Sequence, residues 1–259
     1  GMKDASSSST PGVKDRGTEI DHELLLGDEA TQYRAIAARA NFMAMDRADV
    51  QYAAKEICRR MAQPTRSDWA RLKRLARYLV GTPRMVQHFR WQSSPAILDS
   101  IVDTDFAGCL ETRRSTSGGV LMHGRHCLKT WHHAVCHRLI KWGSRIVRDR
   151  QGHLHGPRIP NRASDMGVSL HIDVHSDSAA ARGMCKRTGL GKVRHIHVQE
   201  LWVQKALKDK GFNLKPIAGV DNPADILTKY VDRVTLETHC PKIQLEGMSG
   251  RSIIAPETN

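Results

Sequence analysis

Three aspartates stand where a chain can bring acids together from separate elements. Asp103 falls at the end of AILDSIVDTD, Asp177 closes the apolar run SLHIDVHSD, and Asp225 opens DILTK after a proline turn. Converging carboxylates suit hard divalent cations such as Mg²⁺, which prefer oxygen ligands. Two such ions about 4 Å apart can activate a water and stabilise the leaving oxygen of a phosphodiester. Each acid also has a plain structural reading, Asp103 as a strand end and Asp177 and Asp225 as helix caps. Only their positioning by the fold separates the two readings.

The elements that must do the positioning are legible in the periodicity. Residues 1–27 hold a serine run and a Pro-Gly step and read as a disordered linker, with Leu24–Leu26 able to dock on the neighbouring helical domain. From Asp28, a helix cap by type, the spacing predicts a helix with Tyr33, Ile36, Ala37 and Ala40 on one face. A second helix, opened by Asp46 or Asp49, turns Val50, Ala53, Ala54, Ile57 and Met61 inward and stops at Pro64. Ser67 is the expected cap of a third, with Trp69, Leu72, Leu75, Ala76 and Leu79 inward and Gly81 as its stop. Its outer face carries Arg71, Lys73, Arg74 and Arg77, able to meet phosphates or simply solvent. Beyond Pro83 the period shortens to that of strands at 85–92 and 96–105, and 119–131 reads as a hairpin turning at Gly124. A strand at 169–177, a helix from Ala179, a helix before Gly211, a short strand from Asn213 and a Pro-started helix complete the pattern. The class is mixed α/β.

Lys and Arg number 40 against 27 Asp and Glu, a net of +13, which argues for a polyanionic partner. Much of this sits in residues 132–163, where seven Lys or Arg face one acid and no period of 2 or 3.6 persists. The six cysteines contain no CxxC pair, so neither a disulfide framework nor a zinc ribbon is implied. His132, His133, Cys136 and His137 match no established zinc spacing, and His195 and His197 read as surface or phosphate-facing groups. No run approaches the ~18 apolar residues of a membrane span, and no secretory signal opens the chain. The opening Gly1-Met2 reads as a fragment or tag remnant.

The order strand–Asp, hairpin, strand–Asp–helix, strand, Asp–helix resembles the ribonuclease H fold. In wording, DTDFAGCLETRRSTSGGVL, VHSDSAAARG and VDNPADILTK resemble the copia-type retrotransposon ribonuclease H. Upstream, YRAIAARANFMAMDRADVQYAAKEICRRMAQPT and DWARLKRLARYLVGT resemble that family's reverse-transcriptase thumb and connection. The resemblance covers roughly 28–131 and 164–233. It implies a helical thumb or connection remnant at 28–92, a ribonuclease H-like domain at 93–233 and a C-terminal tail at 234–259. It makes Asp103, Asp177 and Asp225 three of four metal-binding catalytic carboxylates, with Asp105 a second candidate in the first phrase. It further implies two Mg²⁺ ions, an RNA–DNA hybrid as partner, nucleic-acid contacts from Arg113, Arg114, Lys186 and Arg187, and an intracellular setting, a cytoplasmic particle or the nucleus. No polymerase motif of the Tyr-x-Asp-Asp kind is present.

The fourth carboxylate is a Glu in that family, within a phrase resembling Ser-Gly-Glu-Ala-Glu-aromatic-Tyr-Ala. Here no Glu occurs between 112 and 199. One permitted coding of Lys141–Arg148, AAG TGG GGA AGC CGA ATT GTA CGC, read one base later gives Ser-Gly-Glu-Ala-Glu-Leu-Tyr. Roughly 134–160 is therefore expected to be out of frame and irregular, with the first restored Glu straddling Gly143 and Ser144. Three outcomes are open for the chain: an impaired ribonuclease H, a catalytically dead nucleic-acid-binding remnant, or a product with no function.

Overall fold

The structure, a computed structural model, describes residues 6–14, 21–105, 115–135, 167–189 and 202–250. The chain divides into two compact units, 1–89 with 230–259, and 90–229.

In the first unit the three expected amphipathic stretches form α1 (Gly27–Met43), α2 (Ala48–Cys58) and α3 (Arg66–Gly81). Tyr33, Ala37 and Ala40 of α1 meet Val50, Ala53, Ala54 and Ile57 of α2 and Leu72 and Leu75 of α3 in one core. Three helix starts differ from expectation, the one at α2 because Arg47 stands at its N-cap and Asp49 lies inside the first turn, so that neither Asp46 nor Asp49 caps it. Asp28 lies inside the first turn of α1, where its charge complements the helix dipole, because Gly27 at φ +53° starts the helix one residue earlier. Thr65, not Ser67, caps α3, in a reciprocal box with Asp68. Ser67 instead accepts the Asp21 N–H at 2.7 Å.

The described parts of the stretches expected to be linker and tail, 6–14 with 21–26 and 234–250, make contacts within this unit. Ser8 N–H donates to Arg77 O (3.2 Å) and Leu25 is 3% exposed. Within 234–259, α7 (Arg233–Lys242) and β7 (Leu245–Gly247) are formed, and β7 pairs antiparallel with β1 (Met85–Gln87). Buried Leu236, Ile243 and Leu245 explain the order, since these side chains leave water only by folding back.

The second unit holds β2 (Ile97–Asp105), β3 (Ser115–His123), β4 (His126–Val135), β5 (His171–Ser176) and β6 (Asn213–Pro216) in one sheet. The order is β4-β3-β2-β5-β6, with β2, β3 and β4 antiparallel in turn and β5 and β6 parallel to β2. This is the mixed α/β arrangement expected. The hairpin turns at Gly124, whose φ of +58° suits glycine. Alternation then sorts the faces. Leu98, Leu121, Ile172 and Val174 pack with Val203 and Phe212, against Met184 and Cys185 of α4 (Ala179–Lys186) and Ala206 and Leu207 of α5 (Trp202–Lys208). The intervening residues, Asp99, Ile101 and Asp103 on β2 and Asp173 and His175 on β5, point to the other face. A one-turn helix, α6 (Asp225–Thr228), lies on that second face, where its Thr228 and Leu227 approach Gly118.

Candidate metal centre

Strand β2 delivers Asp103 opposite Gly118 of β3. A Cβ on Gly118 would lie 2.8 Å from Thr228 Cγ2 and 3.0 Å from Leu227 Cβ, so the glycine is what lets α6 lie this close to the sheet. Thr228, fully buried, donates its hydroxyl proton to Asp103 Oδ2. The entry to α6 is fixed by Asn222, also fully buried, whose Nδ2 donates to Val102 O (3.1 Å) while its Oδ1 accepts the Ala224 N–H (3.0 Å). These contacts set Asp225 beside Asp103. Parallel pairing of β5 with β2 up to Val102–Ser176 brings the next residue, Asp177, out alongside. Ser178 caps α4 by accepting the Ala181 N–H (3.2 Å), which leaves the Asp177 carboxylate for the site.

One carboxylate oxygen each from Asp103, Asp177 and Asp225 lies within 4.8 Å of the others. Asp105 is not in this group, so the geometry favours Asp103 of the two candidates in the first phrase. Burial pushes the Asp103 carboxyl above its ordinary range; the Thr228 hydrogen bond opposes this and the charge of Asp225 adds to it. Lys229, one turn after Asp225, places Nζ 2.8 Å from Asp225 Oδ2. Burial alone would lower the Lys229 pKa, but the Asp225 bond and charge, then Asp103 and Asp177, raise it on balance, so it stays an ammonium. The other oxygen, Asp225 Oδ1, is buried and has no hydrogen-bond partner among the described residues. Three acids around one Lys leave negative charge uncompensated, and like charges this close repel strongly in a low-dielectric setting. An all-oxygen donor set with an orphaned oxygen fits a divalent cation, so this group could hold a metal.

Of the other expected residues, Lys186 is exposed at the end of α4 and Arg187 comes next, half-buried. Arg113, Arg114, Cys136, His137, Arg145 and the stretch 136–160 lie outside the described residues. On α3 the outer cations meet protein partners: Arg71 pairs with Asp68, Arg74 donates to Thr10 Oγ1 (2.8 Å) and Arg77 to Ser6.

A second group, Asp99, Asp173 and His175, was not singled out from the sequence. The alternation that makes Ile172 and Val174 core residues also puts Asp173, His175 and Asp177 on one face, which was the available signal. These groups satisfy one another through protein contacts. His175 Nε2 lies 2.7 Å from Asp99 Oδ1, and Lys215 Nζ 2.5 Å and Asn213 Nδ2 2.8 Å from the Asp173 carboxylate. Burial raises the Asp173 pKa, but the Lys215 and Asn213 hydrogen bonds outweigh it and hold the carboxyl low. The arrangement is a paired network tying β2, β5 and β6 together. Lys229 was missed as well, although its i+4 spacing from Asp225 marks the pair.

In sequence the chain is similar to parts of polyproteins from mobile elements. It is 25% identical over 224 residues to the retrovirus-related Pol polyprotein from transposon RE2 of Arabidopsis thaliana, covering 83% of this chain and 15% of that protein. Against the Pol polyprotein from transposon TNT 1-94 of Nicotiana tabacum it is 24% identical over 207 residues, covering 78% of this chain and 15% of that one. An uncharacterized mitochondrial protein of Arabidopsis thaliana is 32% identical over 120 residues, 46% of this chain and 48% of its own length. The chain is therefore homologous to a portion of plant-transposon Pol polyproteins, and spans about 15% of the length of those it matches. No protein-family profile matches it. A foamy viral protease-reverse transcriptase solved with dsDNA superposes with a TM-score of 0.24 at 11% identity, over 85% of this chain and 43% of that one, too loosely to bear on the fold.

Proposed function

We propose that the chain is a fragment of a copia-type retrotransposon Pol polyprotein, the end of a reverse transcriptase joined to a ribonuclease H-type domain that acts on RNA in RNA–DNA hybrids. The observation that carries this reading is the convergence of Asp103, Asp177 and Asp225, with an orphaned Asp225 oxygen, on a sheet of this strand order. The Pol relatives support it. Asp103, Asp177 and Asp225 would hold two Mg²⁺ ions, which when bound supply an activated water and stabilise the leaving oxygen of the phosphodiester. Thr228 fixes the Asp103 carboxylate, and Lys229 offsets part of the cluster's charge. Lys186, Arg187, Arg113 and Arg114 would hold the hybrid's phosphates. Such a fragment would work inside the cell, in a cytoplasmic particle or the nucleus.

The lack of any Glu between 112 and 199 leaves three carboxylates where the resemblance calls for four, and this favours a second reading for the chain as it stands. On that reading it is a nucleic-acid-binding remnant with cleavage at or near background. The test compares Mg²⁺-dependent cleavage of the RNA strand of a hybrid by this chain and by one whose residues 134–160 are recoded in the alternative frame. The expected result is activity in the recoded chain that Asp103→Asn abolishes. Equal cleavage by both chains would show that the missing Glu is immaterial. No cleavage by either would reject the ribonuclease H assignment.

A further inference from the structure

Ser6, Ser7, Ser8, Ser9 and Thr10 form a run of five hydroxyl side chains laid against α3. Two backbone features hold the run there. Ser8 N–H donates to Arg77 O (3.2 Å), and Gly81 carries no side chain where a Cβ would come within 2.8 Å of Ser7 Cβ.

The five hydroxyls are not equivalent. Thr10 is 6% exposed and its Oγ1 accepts from Arg74 (2.8 Å), so it is out of reach. Ser8 is half-buried and gives its proton to Thr10 O (3.0 Å). Ser6, Ser7 and Ser9 are exposed. Of these, Ser6 is gripped by a guanidinium: Arg77 Nη2 donates to Ser6 Oγ (2.6 Å) and Arg77 Nε to Ser6 O (2.7 Å). Lys73, exposed one turn earlier on α3, adds a second cation to the same helix face.

We propose that Ser6 is a phosphorylation site whose phosphoryl group is held by Arg77. A protein kinase using ATP would join Ser6 Oγ to the γ-phosphorus and break the bond from that phosphorus to the ADP oxygen. The hydroxyl proton goes to the kinase's base, and ADP leaves. The product carries about −1.5 to −2 charges at neutral pH and three acceptor oxygens, placed where a planar guanidinium already points. A bond from a cation to a neutral hydroxyl thereby becomes an ion pair between guanidinium and phosphoryl oxygens, and the run is fastened to α3.

The test uses the full chain with phosphoserine installed genetically at position 6, or at position 9 as a control of equal charge. Hydrogen exchange of the Ser8 amide reads how firmly the run is held on Arg77 O. Phosphoserine at 6 is expected to slow that exchange about tenfold, the effect of one strengthened hydrogen bond, while phosphoserine at 9 leaves it unchanged. In an Arg77→Met background, with folding checked by near-ultraviolet circular dichroism, the difference between phosphorylated and unphosphorylated chains should vanish. Equal exchange for the two phosphorylated positions, no slowing at all, or slowing that survives Arg77→Met would each overturn the proposal.

Discussion

Asp103 is 8% exposed, carries a carboxyl raised by its burial, and faces two further acids, an arrangement that a fold does not adopt for its own stability. A structural ion pair behaves differently, as Asp173 does with Lys215. The contrast is measurable. A carboxyl whose folded pKa is raised destabilises the folded state once it ionises, so its cost appears as pH rises through the carboxylate range and is absent below it. Asp103→Asn keeps the shape and an acceptor for Thr228 while removing the charge. It should therefore stabilise the protein at neutral pH, and by progressively less toward pH 3, in urea titrations. Mg²⁺ should raise the melting temperature of the unsubstituted chain and not that of the variant, because a ligand stabilises only the state that binds it. A destabilised variant at neutral pH would mean that Asp103 is a structural acid.

At the scale of elements, the centre depends on how closely α6 approaches the sheet, and Gly118 sets that distance. Gly118→Ala places a methyl within 3.0 Å of buried Thr228 and Leu227, and overpacking of this kind costs about 1–3 kcal/mol. It should also weaken Mg²⁺ stabilisation by moving Asp225. Gly124→Ala, at the hairpin turn with φ +58°, should cost stability while leaving the metal response intact. Equal metal responses in the two variants would separate α6 from the site. Much of this scale was legible in the sequence, because strand alternation and helix spacing are dictated by burial. The acids at 103, 177 and 225 could be placed at element ends, but their convergence depends on register, which a sequence does not print. The cap of α3 illustrates the limit. Thr65 and Ser67 are equal by residue type, and only the acid three residues after Thr65, Asp68, selects it. The role of Gly118 was invisible for a similar reason, since it arises from a helix more than a hundred residues away.

For the whole molecule, the chain path matters as much as the contacts. Residues 230–247 belong to the first unit although the sheet of the second unit separates them from α1–α3 in sequence. A chain ending at Lys229 should lose α7 and β7, and with them the burial of Leu236, Ile243 and Leu245, each worth about 2 kcal/mol. Hydrogen exchange should then accelerate across α1, α2 and α3 while β2, β3 and β5 keep their protection. Uniform loss of protection would show that the units do not fold as separate bodies. Charge acts at the same scale. The net of +13 is spread over many Lys and Arg, so binding to a hybrid would come from numerous phosphate contacts and would not depend on any one acid of the centre. On the proposed ribonuclease H reading, cleavage would have the opposite dependence, because three carboxylates would hold each ion less firmly than four. The expected pattern is hybrid binding whose logarithm falls linearly with the logarithm of salt, unchanged or slightly tightened by Asp103→Asn, with cleavage at background in Mg²⁺. Filter binding across a salt series checks the slope. Binding that is insensitive to salt would remove the electrostatic case for a nucleic-acid partner, whatever the fate of the metal centre.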